Sequence, residues 1–594
     1  MAKKNSIFRL PKAISSPQKN IGELGSYTEE TIDKHFFRRL TNLAKVRRFV
    51  IGWLLLMSLI LLVGVLQIGM LRAKYQKLYY EPGGTFTEGI VGTYSNADPI
   101  YASSSVDSSV SKLIFSGLYK YDSNQKLVPD LASGMSIDKR GRSYTVTLKD
   151  NLYWHDGQRL TAKDVVFTFK TIQNPDAKSY LLSSWQGIKI SQKDDKTAVF
   201  TLPSTLSSFP DSLTTGIIPW HILKDIPAQQ LRSSDFNTVH PVGSGPFKYD
   251  TVEVQPDSDK SGATLQHIGF LANDGYYGGS PGIKRYIINT YNNQNELTRA
   301  YDSKKVDAIS GLGTIDEQYS EDQDNNVYSV PIAGQTMVFF NNSQDILSDP
   351  KVRRALVLGA NRQKIIQSTG QVLKQSDEPL LVSQLGYNKK FAQQTNDTEL
   401  ADKILNKAGW KIDSKTGIRT KKRRRLSIKL FALSNNEYGK VANELRNEWA
   451  DLGIDTRIVT QSDENLKDTV SNHGYDALLT TISVGADPDV FAFWHSSQIS
   501  AKSKARLNFS EYKSSRADIS LEAGRSRLDP KIRAVKYKGF LKAWHNDNPA
   551  LALYQPNYIF IIRSPFSGFD NKSLVSPVDR YTDVSKWMIR QKRG

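Results

Sequence analysis

The 594-residue sequence contains no cysteine. That excludes disulfides, thiolate nucleophiles, cysteine-ligated zinc and iron–sulfur clusters, and also the acylated cysteine that tethers bacterial lipoproteins. It does not argue against an external location, because a domain of several hundred residues buries enough surface to do without covalent staples. Histidine is scarce too. The eight present, among them His155, His221, His240 and His495, show no metal-ligand spacing and are expected to be structural. There is no Gly-x-Ser-x-Gly elbow, no phosphate loop ending in Gly-Lys-Ser/Thr and no His-Glu-x-x-His helix. The expectation is a protein that is not an enzyme and uses neither cofactor nor metal.

Long apolar runs are equally rare, and the one that occurs divides the chain. Phe49 to Leu71 is uncharged and long enough to cross a bilayer as one helix. Lys34, Arg38, Arg39, Lys45, Arg47 and Arg48 crowd the fifteen residues before it, against Arg72, Lys74 and Lys77 after it. The N-terminus is therefore expected to be cytoplasmic and the large C-terminal part outside. A cleaved signal peptide is the first alternative, but it would have a shorter apolar core and a small-residue cleavage site. A buried core helix is the second, but it would be shorter and amphipathic.

The formal net charge is +19. Residues 1–48 hold eleven basic and four acidic side chains, so a surplus of +7 sits in this tail and +12 is spread beyond it. The tail has Pro11, Pro17 and no apolar period; it reads as a flexible segment that sets topology or lies against anionic headgroups. About 520 residues follow the span, enough for two or three domains. Glu81-Pro82-Gly83-Gly84 suits the end of a linker, 72–83, before the first strand.

Beyond the linker, short strands alternate with single helices. Strands are expected at Thr85 to Gly92, Ser143 to Leu148, Ala198 to Leu202, Tyr286 to Thr290 and Thr336 to Phe340. Helical spacing occurs at Ser103 to Tyr119, Val352 to Gln367, Leu400 to Ala408 and Tyr438 to Leu452. Thr161 can cap a helix with Asp164 in its first turn, stopping before Asn174-Pro175. Gly453 suits a C-cap before the strand Asp455 to Thr460, as in doubly wound units. Gly243-Ser244-Gly245-Pro246 reads as a tight turn into a strand. The block Lys421 to Arg425 reads as a hairpin tip, either solvated or in contact with an anionic partner; without interleaved aromatics, no nucleic acid is expected. The overall pattern is mixed α/β.

The order of motifs resembles the large family 5 (oligopeptide/dipeptide/nickel type) solute-binding proteins of ABC importers. The matching blocks begin with Ile114 to Leu118, Leu127 to Ala132, Tyr144 to Lys149, and Trp154-His155-Asp156-Gly157 through Thr161 to Phe167. They continue with Gly243 to Phe247, Asp349 to Leu356, Ala408-Gly409-Trp410, Leu452-Gly453-Ile454, and Asp487-Pro488-Asp489 before Phe491. The resemblance implies a two-lobed periplasmic-binding-protein-like (class II) fold with an extra inserted domain, here preceded by one transmembrane helix. Mapped onto this chain, lobe I takes 84–112, 198–330 and 561–594, the inserted domain 113–197, and lobe III 331–560. It also implies closure about a hinge on a ligand held between the lobes.

The same resemblance implies a peptide or similar small solute as ligand, ABC permease subunits as partners, and β-augmentation of the extended ligand in the cleft. The segments at the family's contact positions are Ser103, Ser104 and Ser105 on one side, and Thr481, Ile482, Ser483 and Val484 with Asp487 on the other. Peptide-binding relatives carry an aspartate three residues before the Asp-Pro step, paired with the ligand's α-amino group, and this chain has Val484 there. A buried ammonium without a carboxylate is costly, so either another acid substitutes or the ligand is not an ordinary free peptide. A structural, adhesion or sensor protein that keeps the fold is the alternative function.

Overall fold

The computed structural model describes residues 47–75, 78–256, 264–499, 506–570 and 572–593. The chain forms two compact units, residues 1–79 with 592–594, and residues 80–591. The basic tail up to residue 46 lies outside the described residues.

In the first unit a single helix, Arg47–Tyr75, contains the whole apolar run. Among the described residues it is the one helix long and apolar enough to cross a membrane, over Arg47–Ile68, and that window is not buried. Trp53, Leu54, Leu59 and Leu61 are each more than half exposed. A core helix would not leave them so. The expected linker is not irregular throughout, since Leu78–Glu81 is a short strand.

The second unit is built on two large sheets. The first has seven strands in the order Asn325–Pro331, Asn557–Arg563, Ala308–Leu312, Thr85–Val91, Arg285–Tyr291, Thr264–Ala272, Phe247–Pro256. Thr85–Val91 runs parallel to both its neighbours, and the last two strands form an antiparallel hairpin. The second sheet has six strands: Lys374–Gln375, Ala550–Gln555, Gly334–Phe340, Ala477–Ser483, Ser427–Leu433, Asp455–Gln461. Gly334–Phe340 is buried along its whole length. Val338 and Phe340 enter one apolar cluster, Met337 and Phe339 another, so both faces of this strand are covered.

A four-stranded antiparallel sheet, Ala132–Ile137, Ser143–Leu148, Thr197–Thr201, Lys189–Asp194, is separate from both. Two boundaries expected from the resemblance cut through strands. Residue 198 falls inside Thr197–Thr201, which pairs with Ser143–Leu148, and residue 561 falls inside Asn557–Arg563, which belongs entirely to the seven-stranded sheet. The ladders run across both boundaries.

Local signals explain most elements. Thr161 and Asp164 form a reciprocal capping box at the start of helix Ala162–Gln173. Ser427–Leu433, helix Asn436–Ala450 and Asp455–Gln461 make a parallel βαβ unit, turned by Gly453 at φ +73°. The helical pattern at Val352 to Gln367 is two helices, Pro350–Gly359 and Arg362–Thr369, because the Asn361 side chain accepts from Lys364 N and starts a new helix. Ser103 to Tyr119 shortens to Ser105–Ile114. Lys421 to Arg425 is a hairpin tip, with Lys422 and Arg423 at φ 51° and 66°.

The Gly243-Ser244-Gly245 turn packs directly on that shortened helix. Gly245 N donates to Ile114 O at 2.7 Å, and a Cβ at residue 243 or 245 would stand 2.0 or 2.6 Å from the same oxygen. His155 holds the turn from outside: Gly243 N donates to its Nδ1 (3.2 Å) and its Nε2 faces Gly245 O (3.0 Å). The structural role expected for this histidine is thus a clasp between two of the motif blocks.

The ends of the chain's outer part are joined by a fully buried ion pair. Glu88, on strand Thr85–Val91, meets Arg580 at 3.1 Å, and its other oxygen accepts from Tyr286 and Tyr581 hydroxyls at 2.6 and 2.5 Å. Breaking such a pair leaves an uncompensated buried charge. Glu88→Ala is expected to destabilise the folded chain by about 3–5 kcal/mol, read as a lower denaturation midpoint in detergent-solubilised protein.

Candidate ligand cleft

The two large sheets are joined by crossing segments. The chain leaves the first sheet at Pro331, enters the second at Gly334, and returns between Gln555 and Asn557. The crossings are tied side by side: Ile332 N donates to Pro556 O (3.0 Å) and Gln555 Nε2 to Ile332 O (2.8 Å). A third segment lies against them, with Ala333 N donating to Leu574 O and Leu574 N to Pro331 O. A cavity of about 500 Å³ opens here, lined by Gln125, Pro331, Lys374, Asp377, Leu381 and Gln555, among others.

At the second sheet's end of this junction, one strand edge has no partner. Ala477–Ser483 pairs along its whole length with Gly334–Phe340, but its parallel ladder with Ser427–Leu433 stops at Leu479↔Ala432. Val484 N donates to Ala333 O. By the alternation of a strand, Ile482 then faces that side, and Thr481 and Ser483 present their backbone to the other edge. Among the described residues no strand continues the ladder there. The place is the carboxyl end of the parallel strands, where open α/β sheets bind ligands.

Side chains of neighbouring elements converge on this edge. Tyr438 OH donates to Thr481 Oγ1 (2.8 Å), whose oxygen lies 2.7 Å from that of Thr336. Tyr554, opposite Thr336 in the sheet, donates its hydroxyl to Glu437 Oε1 at 2.6 Å. Burial raises the Glu437 carboxyl above its ordinary range, opposed by that hydrogen bond. Val484 offers nothing polar, since its side chain is buried with Ile482, Ala333, Leu380 and Leu381.

Asp487 is already engaged. Both its oxygens accept from Arg533, at 2.6 and 2.8 Å. Asp489 pairs with Arg525 at 3.1 Å and accepts from Ser208. The Asp-Pro-Asp block therefore pins the loop after the edge strand to helices Ser515–Arg525 and Pro530–Asp547. Ser103, Ser104 and Ser105 are exposed on the other lobe, where Ser104 caps helix Ser105–Ile114 by accepting from Asp107 N. They flank a cavity of about 340 Å³ lined by Ala102, Ser108, Tyr121, Val575 and Asp579. Thr481, Ile482, Ser483, Val484 and Asp487 are thus gathered on one strand and its following loop, with Ser103 to Ser105 on a separate element.

Glu437, Tyr554 and Glu378 did not emerge from sequence reasoning. Glu437 had a signal, a carboxylate at a helix start directly after a strand of a βαβ unit. Glu378 had none. It sits fully buried beside the cavity at the crossing segments, accepting from Asn388 N (2.9 Å), and burial pushes its carboxyl up to about 8.

Comparison with known proteins bears on this arrangement. The profile described as bacterial extracellular solute-binding proteins, family 5 Middle, matches residues 126–503. The chain belongs to this family. Among family members, it is 26% identical over 532 residues to oligopeptide-binding protein AppA of Bacillus subtilis, covering 86% of this chain and 92% of AppA. It is 25% identical over 488 residues to protein XP55 of Streptomyces lividans, covering 81% and 85%. Solved structures share the two-lobed fold. AppA of B. subtilis in complex with a nonapeptide matches with a TM-score of 0.71 at 24% identity, over 86% of this chain and 100% of that one. NikZ of Campylobacter jejuni in complex with Ni(L-His) matches with a TM-score of 0.73 at 24% identity, over 85% and 99%.

The buried Glu378 makes a pH prediction for this family member. A carboxyl raised from 4.5 to about 8 keeps its proton in the folded state while the unfolded chain loses it. Its contribution is complete below pH 4.5 and is lost as pH rises towards 8. Glu378→Gln, which cannot ionise, should therefore gain stability over the parent by up to about 1.4 kcal/mol per pH unit across that window and level off above it. Denaturation midpoints of both proteins between pH 5 and 9 measure this.

Proposed function

We propose that this chain is a solute-binding protein that captures peptides or similar small solutes between two lobes and delivers them to an ABC permease. The observation that carries the reading is the unpartnered edge at Thr481 and Ser483, which stands beside the crossing segments. An extended ligand can add to that edge as a strand, its backbone satisfying the groups the ladder leaves open. AppA, similar over most of its length, is named an oligopeptide-binding protein, which agrees with this use of the edge.

Lobe I is assigned the seven-stranded sheet, lobe III the six-stranded sheet, and the insertion the four-stranded sheet with the helix Ala162–Gln173. The crossings at 331–334 and 555–557 are the hinge, and closure swings one sheet towards the other about them. Gly243, Gly245 and His155 lie within the first lobe and its insertion, where they keep that body rigid.

The helix Arg47–Tyr75 serves as the membrane tether, with the N-terminus cytoplasmic and the binding lobes outside. With no cysteine to lipidate, a spanning helix is what remains to hold the receptor near its permease. The absence of nucleophile, acid/base pair and metal motifs in the sequence supports binding in place of catalysis.

Two measurements test the reading. Defined peptides added to the full chain in detergent should raise its melting temperature, by linkage equivalent to about 2.7 kcal/mol at a hundredfold excess over Kd; no shift with any of them would reject a peptide ligand. In intact cells, a C-terminal epitope should be cleaved by external protease and an N-terminal one protected. The reverse pattern would reject the topology.

A further inference from the structure

We propose that Glu437 is the anchor for a protonated amine on the bound solute. The inference rests on the cleft reading above and adds the charge that the ligand must carry at this end of the edge.

The carboxylate of Glu437 is half-buried, and one oxygen accepts from Tyr554. Among the described residues no lysine, arginine or histidine forms an ion pair with it, and its second oxygen accepts no hydrogen bond. A carboxylate withdrawn from water is costly unless a cation compensates it. The nearby acids differ in this respect: Asp487 is held by Arg533 and Asp489 by Arg525.

A purely local role does not account for the geometry. Glu437 lies in the first turn of helix Asn436–Ala450, where a negative charge favours the helix dipole. An acid serving only the helix would fold back onto first-turn N–H groups, as Asp164 does onto Thr161 N at 2.8 Å. At this helix Asn435 already does that work, accepting from Tyr438 N at 2.7 Å. Glu437 instead reaches across to the sheet, to a tyrosine that is itself fully buried.

That reach sets the carboxylate over the strands next to the open-edged one, one residue from the tyrosine that bonds to Thr481. Tyr554 stands opposite Thr336, Thr336 opposite Thr481, and Tyr438, the residue after Glu437, bonds to Thr481. An extended chain that pairs with Thr481 and Ser483 and ends here brings its terminal ammonium to the free oxygen of Glu437. The ligand class is therefore an amine-bearing peptide or amino-acid derivative, with the cation supplied by an α-amino group or by a lysine side chain.

The test uses the full chain in detergent, as wild type, Glu437→Gln and Glu437→Asp. Three sets of short peptides are compared by thermal shift and calorimetry: lysine-free with a free N-terminus, the same acetylated, and acetylated with one lysine. In the wild type, acetylation of the lysine-free peptides should weaken binding by about ten- to hundredfold. Recovery in the third set assigns the amine to a side chain, and no recovery assigns it to the N-terminus. Glu437→Gln keeps an acceptor for Tyr554 and should bind free and acetylated peptides alike, at the wild type's acetylated level. Glu437→Asp keeps the charge and should keep the preference. The acetylated lysine-free peptides double as a folding control, because their affinity should match across the three proteins. Free-amine peptides that bind Glu437→Gln as tightly as wild type would overturn the assignment and leave the solute-binding reading standing. Peptides that shift none of the proteins would overturn both.

Discussion

Two sheets joined by crossing backbone must satisfy the polar groups of that backbone, and this constraint shapes the centre of the molecule. A peptide group passing between lobes has no ladder of its own, and an unpaired buried N–H or C=O is expensive. Here the crossings satisfy each other. Ile332 bonds to Pro556, Gln555 reaches Ile332, and the Leu574 segment bonds on both sides of Ile332. Pro331 and Pro556 remove two donors that would otherwise need partners. The bundle is also tied to the second sheet, where Val484 N donates to Ala333 O.

Rigidity on either side of the crossings comes from charge held out of water. In the first lobe Glu88 and Arg580 bring residues nearly 500 positions apart into one fully buried pair, with Tyr286 and Tyr581 completing the carboxylate's hydrogen bonds. In the second, Asp487 and Arg533 fix the loop after the edge strand to a long helix. Replacing such pairs with apolar residues is often tolerated, whereas losing one partner is not. Their value is positional. They fix where the chain returns, which a purely apolar core of interchangeable methyl groups specifies less sharply.

The fold was legible where local chemistry decides it. Ser143–Leu148 follows from its alternation, Ala162–Gln173 from Thr161 and Asn174-Pro175, and the βαβ unit from Gly453. Reading failed where a long-range contact decides. The break at Asn361 competes with a continuous apolar period, and the limits at 198 and 561 depend on ladders between strands far apart in sequence. The proposed site was half legible. Thr481 to Val484 could be placed through the family's motif order, but which edge of that strand lies open depends on where Ser427–Leu433 ends. Nothing local marks that.

The Asp487-Pro488-Asp489 block shows why a recognisable motif need not be the part that meets the ligand. A carboxylate with both oxygens on one guanidinium has little left for an ammonium, and recruiting it would strand Arg533 in a mostly buried site. Val484, three residues earlier, is enclosed by aliphatic neighbours, so an acid in its place would have to leave that apolar cluster to reach a ligand. The strand proposed to offer hydrogen bonds to a guest is therefore not the element that offers charge. In the proposed arrangement Glu437 supplies that from the adjoining helix, held in place by the Tyr554 hydroxyl. Separating the two functions lets backbone pairing tolerate many side chains while the terminal charge selects which end of an extended solute enters first.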